Sequence, residues 1–293
     1  MAKFFEKLKN NTRHIFQFVY FCLSNGYAAG FFKGKIFRGK SKLICLPGLN
    51  CYSCPGALGS CPIGSFQAVL SDKNYKFSFY VAGFLIFFGA IFGRFVCGWL
   101  CPFGLVQDLL YKIPFFKKLK KLPGDKYLKW MKFAILLIFV IILPLFVLDI
   151  AGQGQPWFCK YICPSGTLFG GIPLLASYEE LRDSLGGLFV FKVAILSALV
   201  LLSIMVYRPF CRYLCPLGAV YSLFNPIAFY RYKIDESKCT KCGVCQKKCN
   251  FDIAVFENPN SLECIRCGEC IKACPHGAIC STMNDFKKKK NDE

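Results

Sequence analysis

The C-terminal part of the chain contains two runs of four cysteines with the same spacing. In each run, three cysteines follow one another at intervals of three residues, and a fourth stands four residues further on. The runs are Cys239, Cys242, Cys245 and Cys249, and then Cys264, Cys267, Cys270 and Cys274. Bacterial proteins that hold two [4Fe–4S] clusters use this spacing, because the short gaps let three thiolates wrap one cube-shaped cluster.

The same pattern predicts how the eight thiols are shared. The fourth cysteine of each run binds the cluster of the other run. We therefore predict one cluster on Cys239, Cys242, Cys245 and Cys274, and a second cluster on Cys264, Cys267, Cys270 and Cys249. Zinc sites and disulfides are the alternatives, since paired cysteines at this spacing also bind zinc. Asn250 stands where the pattern usually has proline, but this departure removes no thiol.

A second cysteine pattern repeats through the preceding part of the chain. Three segments share the sequence Cys-x3-Cys-Pro-x-Gly, at residues 97–104, 159–166 and 211–218, and a half-copy occupies residues 61–64. Two cysteines four residues apart lie on one face of a helix. The proline suits the first turn of a new helix, whose free N–H groups favour an anionic group. Each pair is predicted to supply half of a four-thiolate site, and buried free cysteine is the alternative.

Four apolar runs indicate a membrane protein. They cover residues 14–32, 77–93, 131–148 and 187–207, and each is close to the ~20 residues that cross a bilayer core. Hydrophobic residues make up 55% of the chain and charged residues 18%, against about 25% charged in average soluble chains. This composition excludes a disordered chain and argues against an ordinary soluble enzyme.

We predict a mainly α fold with about four membrane helices and a small domain at the C-terminus. Residues 1–229 form the membrane domain in this interpretation. Residues 230–282 form an α+β, two-cluster ferredoxin-like domain, and residues 283–293 form a basic tail. The net charge of +20 is attributed to cytoplasmic loops and membrane lipid rather than to nucleic acid.

The distribution of basic residues predicts the orientation. The segment 94–129 has eight Lys and Arg residues, whereas the segment 150–186 has only Lys160 and Arg182. By the positive-inside rule the first segment is cytoplasmic and the second external, which places both termini of a multi-pass plasma-membrane protein in the cytoplasm. The segment 33–76 conflicts with this, because it should be external yet has seven basic residues. Either the first span is re-entrant or bound cofactors fix that loop regardless of charge.

This topology predicts which pairs combine. Cys97, Cys101, Cys211 and Cys215 fall at the cytoplasmic face and are predicted to hold one cluster. Six cysteines fall on the external side: Cys45, Cys51, Cys54, Cys61, Cys159 and Cys163. These six are predicted to hold a further cluster with two thiols left over, and disulfides are the alternative outside a cell.

The cysteine repeats, the apolar spans and the two terminal runs together resemble the NapH/MauN/NosR-type membrane polyferredoxins. The segment 47–64 also resembles the N-terminal block of that family. The resemblance implies two cytoplasmic Cys-x3-Cys-Pro pairs, which Cys97/Cys101 and Cys211/Cys215 match, whereas the pair Cys159/Cys163 is additional or belongs to a subgroup. It further implies electron transfer between a quinone pool or cytoplasmic donor and a partner redox protein.

The predicted function is a membrane-bound relay for electrons. We expect two [4Fe–4S] clusters in the C-terminal domain and one or two more in the membrane domain, with quinone as a candidate cofactor. The expected partners are a soluble cytoplasmic redox protein and either quinone or an extracytoplasmic flavoprotein, as in an electron-transfer subunit of a quinol dehydrogenase. No nucleotide-binding motif and no catalytic residue is recognised. A maturation or regulatory factor for a partner metalloenzyme, and a non-redox metal-handling protein, remain as alternatives.

Overall fold

A computed structural model describes residues 2–71, 79–114, 117–149, 154–178 and 185–283, and the side chains from residue 12 onward. The described chain is mainly helical, as the sequence predicts. In the membrane part the longer helices are Ala2–Ser24, Pro62–Leu70, Phe79–Phe92, Pro102–Tyr111, Asp125–Phe146, Gly187–Met205 and Pro216–Phe224. Shorter helices are Ala28–Lys33, Phe95–Trp99, Phe158–Ile162, Pro164–Gly166, Thr167–Gly171, Ile172–Ser177 and Pro209–Tyr213.

Two helices of the described residues are long and apolar enough to cross a membrane. They are Asp125–Phe146 and Gly187–Met205, and they coincide with the third and fourth apolar runs. The second run begins outside the described residues and continues as the 14-residue helix Phe79–Phe92. The first run is divided between the helices Ala2–Ser24 and Ala28–Lys33. The structure thus supports two of the four spans, and the other two stay predictions.

Four helices begin directly after a cysteine. Cys61, Cys101, Cys163 and Cys215 each have an extended backbone and each precede a proline in the first helical turn. Proline fits this position because its fixed φ angle is helical and its missing N–H has no partner there anyway. We call the helices that start at Pro62, Pro102, Pro164 and Pro216 the Cys-Pro helices.

Most of the loop between residues 44 and 61 is buried, although Ile44 and Tyr52 are exposed. Leu49, Asn50 and Ala57 are almost completely buried. The Pro47 carbonyl accepts a hydrogen bond from the Tyr221 hydroxyl at 3.0 Å. A side chain at Gly48 would approach the Leu100 carbonyl to 2.7 Å. The loop is therefore held by core contacts, with only a glycine tolerated where it meets residue 100.

The C-terminal part has its own small set of elements. Strands Tyr232–Ile234 and Ile279–Ser281 pair antiparallel, with Tyr232 opposite Ser281. Two five-residue helices, Val244–Lys248 and Glu269–Ala273, pack against each other. Each begins after a glycine with positive φ, Gly243 or Gly268, which an L side chain seldom adopts. The elements are of α and β type, while the ferredoxin-like domain and its boundaries stay predictions; the tail beyond residue 283 lies outside the described residues.

Candidate metal centres

The structure brings together the four cysteines of the two predicted cytoplasmic pairs. Cys97 lies in the helix Phe95–Trp99 and Cys211 in the helix Pro209–Tyr213, and the other two precede Cys-Pro helices. All four side chains are buried, and each thiol interacts electrostatically with others of the set. We call this set group A: Cys97, Cys101, Cys211 and Cys215.

Two completely buried arginines border group A. Arg94 donates to Glu263 Oε2 at 2.7 Å and to the Cys211 carbonyl at 2.8 Å. Arg208 binds both oxygens of Asp108, at 2.6 and 2.5 Å, and donates to the Cys97 carbonyl at 2.5 Å. The buried Arg94 Nε has no hydrogen-bond partner among the described residues. Buried cations and an unpartnered N–H beside four thiols suit a group that carries negative charge, as a thiolate-bound iron–sulfur cluster does.

Burial raises the pKa of all four thiols of group A. Burial raises the pKa of Cys97 to about 11, although Arg94 and Arg208 oppose this. Burial likewise raises the pKa of Cys211 to about 11. The metal ligand is the thiolate, so binding of iron here must release protons.

Only four of the six predicted external cysteines come together. Cys61, Cys159 and Cys163 interact electrostatically with one another and with Cys51. A side chain at Gly166 would lie 3.6 Å from Cys51 Sγ and 4.0 Å from Cys163 Sγ, so this small residue sits between the two loops. We call this set group B: Cys51, Cys61, Cys159 and Cys163.

The two remaining cysteines of that prediction have other partners. The Cys45 sulfur accepts a hydrogen bond from the Ser60 hydroxyl at 3.7 Å. The Cys54 thiol is 3.5 Å from Asn25 Oδ1, although it also interacts with Cys51. No disulfide joins any of the cysteines in the described ranges. The alternative prediction of disulfides among the external cysteines therefore has no support at Cys45 or at Cys54.

The C-terminal cysteines form two further sets. Cys264, Cys267 and Cys270 interact electrostatically with one another and with Cys249 of the first run; this is group C. Group D consists of Cys239, Cys242, Cys245 and Cys274, which line one small cavity. Each set thus takes its fourth member from the opposite run, which is the arrangement that the spacing predicts.

The spacing of these thiols does not suit a single metal ion. Within the described residues no three His, Cys, Asp or Glu side chains converge closely enough to hold one ion. A zinc ion needs all its sulfurs at about 2.3 Å from one centre, whereas a [4Fe–4S] cluster binds each thiolate through a different iron atom. Four sets made only of cysteine therefore suit [4Fe–4S] clusters, which cysteine thiolates hold.

The four groups lie in a continuous series. Group C meets group A where the Ile265 carbonyl packs directly against Gly98, and the Trp99 indole N–H donates to the Arg266 carbonyl at 3.1 Å. Group A meets group B at Tyr221, which is fully buried and interacts electrostatically with both Cys97 and Cys61. Groups C and D share the two packed short helices of the C-terminal part. The order along the series is D, C, A, B.

The cysteine patterns alone did not indicate several of the neighbours of groups A and B. Arg94, Arg208, Gln67 and Gln107 were not singled out from the sequence. The two arginines could not be found because their partners are distant in the chain, as Arg94 and Glu263 are. The glutamines did carry a signal, since each stands six residues after the cysteine of a Cys-Pro helix.

Comparison with known proteins identifies the chain as one that binds [4Fe–4S] clusters. The family described as "4Fe-4S binding domain" matches residues 76–123, 132–175, 188–231 and 270–291, together more than half of the chain. A second family with the same description matches residues 259–280. No solved structure matches the chain.

Individual relatives extend the comparison. Two uncharacterised proteins of Methanocaldococcus jannaschii are similar: MJ0750 is 33% identical over 206 residues, which are 68% of this chain and 76% of the relative. MJ0749 is 30% identical over 210 residues, 69% of each chain. The methylamine utilization ferredoxin-type protein MauN of Methylobacillus flagellatus is 28% identical over 175 residues, 58% of this chain and 51% of the relative. The chain therefore belongs to the 4Fe–4S binding-domain family, as an iron–sulfur polyferredoxin of the NapH/MauN/NosR type.

Proposed function

We propose that the protein is a membrane-bound electron relay with four [4Fe–4S] clusters, one in each of groups A, B, C and D. Relatives named as a ferredoxin-type protein and as a putative electron transport protein support the general role. The observation that carries the specific proposal is that packed residues link the four cysteine groups in the order D, C, A, B. A series of centres divides the ~30 Å hydrocarbon core into short steps.

The bound clusters supply one-electron chemistry without making or breaking substrate bonds. The residues of this chain hold the thiolates, exclude water and set the local charge. Arg94 and Arg208 favour the reduced form at group A, because reduction adds one negative charge beside two buried cations. At the junction of groups A and C, Glu263 ion-pairs with both Arg94 and the buried Lys132. This contact fixes the C-terminal part against the membrane part.

Group D is the proposed point of exchange with a soluble cytoplasmic protein. Cys242 is exposed, and so are four lysines around the group: Lys238, Lys241, Lys247 and Lys248. Such a surface suits an acidic partner, since opposite charges steer association. At the other end, group B is the proposed point of exchange with quinone or an extracytoplasmic flavoprotein. In this proposal the plasma membrane is crossed by about four helices, and both termini are cytoplasmic.

Iron analysis and electron paramagnetic resonance test the relay. The full chain, purified without air in detergent, is expected to contain about 16 iron atoms, four for each cluster. Dithionite reduction is expected to give four cluster signals, of which Cys101→Ser removes one and Cys163→Ser removes another. Signals from groups C and D alone would overturn the four-cluster relay.

A second candidate function is supply of electrons for maturation or regulation of a partner metalloenzyme. The relative named regulatory protein NosR, of Pseudomonas aeruginosa, favours it, with 27% identity over 54% of this chain and 20% of that protein. The two functions separate in a strain that lacks the chain. Partner activity that an artificial donor restores supports the relay, whereas a partner that stays inactive supports maturation.

A further inference from the structure

Groups A and B share a hydrogen-bond pattern that centres on a glutamine. Gln107 stands six residues after Cys101, and Gln67 stands six residues after Cys61. Both lie in Cys-Pro helices and both side chains are buried to 1% exposure or less. Burial of an amide is costly unless its polar atoms have partners, so the partners of these two side chains are informative.

Each glutamine makes the same two contacts across its site. Gln107 Nε2 donates to Cys211 Sγ at 3.1 Å, and its Oε1 accepts from the Phe210 backbone N–H at 3.2 Å. Gln67 Nε2 donates to Cys159 Sγ at 3.8 Å, and its Oε1 accepts from the Phe158 backbone N–H at 3.2 Å. Each side chain thus reaches from one Cys-Pro helix to the first cysteine of the opposite pair.

The backbone N–H fixes which end of the amide faces the sulfur. The orientation of a glutamine amide is assigned from its hydrogen-bond partners. Phe210 and Phe158 present donors, so the carbonyl oxygen must face them and the NH2 group must face the cysteine. The Gln107 NH2 group also contacts the Phe103 carbonyl at 3.4 Å. Both sites therefore present an N–H donor to a predicted ligand sulfur.

We propose that Gln107 and Gln67 are positioning residues that raise the reduction potentials of the clusters at groups A and B. Hydrogen bonds to cluster sulfurs and solvent exposure set the potential of such clusters. An N–H donor stabilises the reduced cluster more than the oxidised one, because reduction adds negative charge to the sulfurs. The inference rests on the proposed function, in which groups A and B hold clusters.

The two sites are expected to respond unequally. The hydrogen bond to Cys211 is 3.1 Å long, whereas the hydrogen bond to Cys159 is 3.8 Å long. A longer contact transmits less of the donor's charge to the sulfur. Loss of Gln107 is therefore expected to shift the potential at group A more than loss of Gln67 shifts the potential at group B.

Redox titration of the full-length wild-type protein and variants, followed by electron paramagnetic resonance, tests the proposal. The signals are first assigned by their loss in Cys101→Ser and Cys163→Ser. Gln107→Met keeps the length of the side chain and removes both the carbonyl oxygen and the NH2 group of the amide. At a fixed applied potential, this variant is expected to lower the ratio of reduced to oxidised cluster at group A about tenfold. This change corresponds to a fall of about 59 mV in the reduction potential of a one-electron couple. Gln67→Met is expected to shift only group B, by less.

Gln17→Met is the matched control. Gln17 is buried to 1% exposure like the other two, and its side chain contacts His14 and no cysteine. It is expected to leave both potentials unchanged. Equal shifts in all three variants would overturn the proposal, because they would show a general effect of an altered interior.

The result separates this inference from the proposed function. A wild-type protein without clusters at groups A and B refutes the proposed function. A wild-type protein with these clusters and a Gln107→Met variant with full iron content and an unshifted potential refutes the inference alone. If Gln107→Met loses its cluster, Gln67→Met decides, since Gln67 makes the same two contacts at group B. A lowered potential at group B with full iron content supports the proposal, and an unshifted potential there or loss of that cluster too overturns it in favour of a purely structural role.

Discussion

Groups A and B are built alike but lie in different electrostatic surroundings. In each group two thiols precede Cys-Pro helices, two further cysteines complete the set, and a buried glutamine donates to one of these two. Group A is bordered by the buried Arg94 and Arg208, which pair with Glu263 and Asp108. Group B instead interacts electrostatically with two lysines: Lys192, which donates to the Cys159 carbonyl at 3.3 Å, and Lys42, which donates to the Ala57 carbonyl at 2.8 Å. The repeated sequence reproduces the thiol geometry, whereas unrepeated residues set the charge.

Asp108→Ala is expected to have the largest effect, and to affect group A alone. Asp108 is buried and binds Arg208 through both oxygens, with Arg13 at 3.2 Å. Removal of one partner of a buried ion pair costs about 3–5 kcal/mol, because a charge is left uncompensated. Denaturant unfolding in detergent measures the loss, and iron analysis measures the cluster at group A. Asp235→Ala removes an exposed pair with Lys238 and the hydrogen bonds from Ser237; it is the control and is expected to change the free energy of unfolding far less, because exposed ion pairs contribute little.

Cys51→Ser is expected to remove one cluster completely, while Cys54→Ser removes none. The two cysteines stand three residues apart in one loop, but only Cys51 lies with Cys61, Cys159 and Cys163. Iron analysis should show a loss of about four atoms for Cys51→Ser and full content for Cys54→Ser. The reverse result would assign the fourth ligand of group B to Cys54 and contradict our grouping.

The cluster at group A is expected to have a higher reduction potential than the cluster at group B. Two buried guanidiniums favour an added electron more than two lysines that donate to backbone carbonyls. In the titration of the wild-type protein, the signal that Cys101→Ser removes should appear at more positive potential than the signal that Cys163→Ser removes. A lower reduction potential at group A would show that the two buried arginines do not determine the difference in potential between the two clusters.

Mild acid is expected to weaken the packing around group A before that around group B. Burial raises the pKa of Asp108, but Arg208 and Arg13 outweigh burial and hold it below the ordinary value. The other ionisable groups that face this carboxyl are His14 and Tyr207. A depressed folded-state pKa gives stability that is present above the unfolded value near 4 and is lost as pH falls below it. At pH values below about 4, the free energy of unfolding of the wild-type protein should therefore decrease, and more steeply than that of Asp108→Asn. The same dependence of this free energy on pH in both proteins would contradict the prediction.

The sequence predicted those features that depend on neighbouring residues. The four Cys-Pro-x-Gly segments predicted helix starts, because proline in the first turn needs only local geometry. The two four-cysteine runs predicted the exchange of their fourth cysteines, because bacterial two-cluster proteins with this spacing share their thiols in that way. The third and fourth apolar runs predicted helices of spanning length, whereas the first run is divided near Gly26, where the chain turns to pack Gly30 against Pro55.

The tertiary structure decided which distant residues meet. The sequence alone left six candidate cysteines for the external site. The fold places Cys51, rather than Cys45 or Cys54, beside the other three, because contacts such as that of Tyr221 with Pro47 hold the loop that carries all three cysteines. The fold also paired Arg94 with Glu263 and Gln107 with Cys211, across more than 100 residues. Local spacing fixes how many thiols a segment offers and on which face, whereas the charges and donors around them come from packing between segments, which no local pattern specifies.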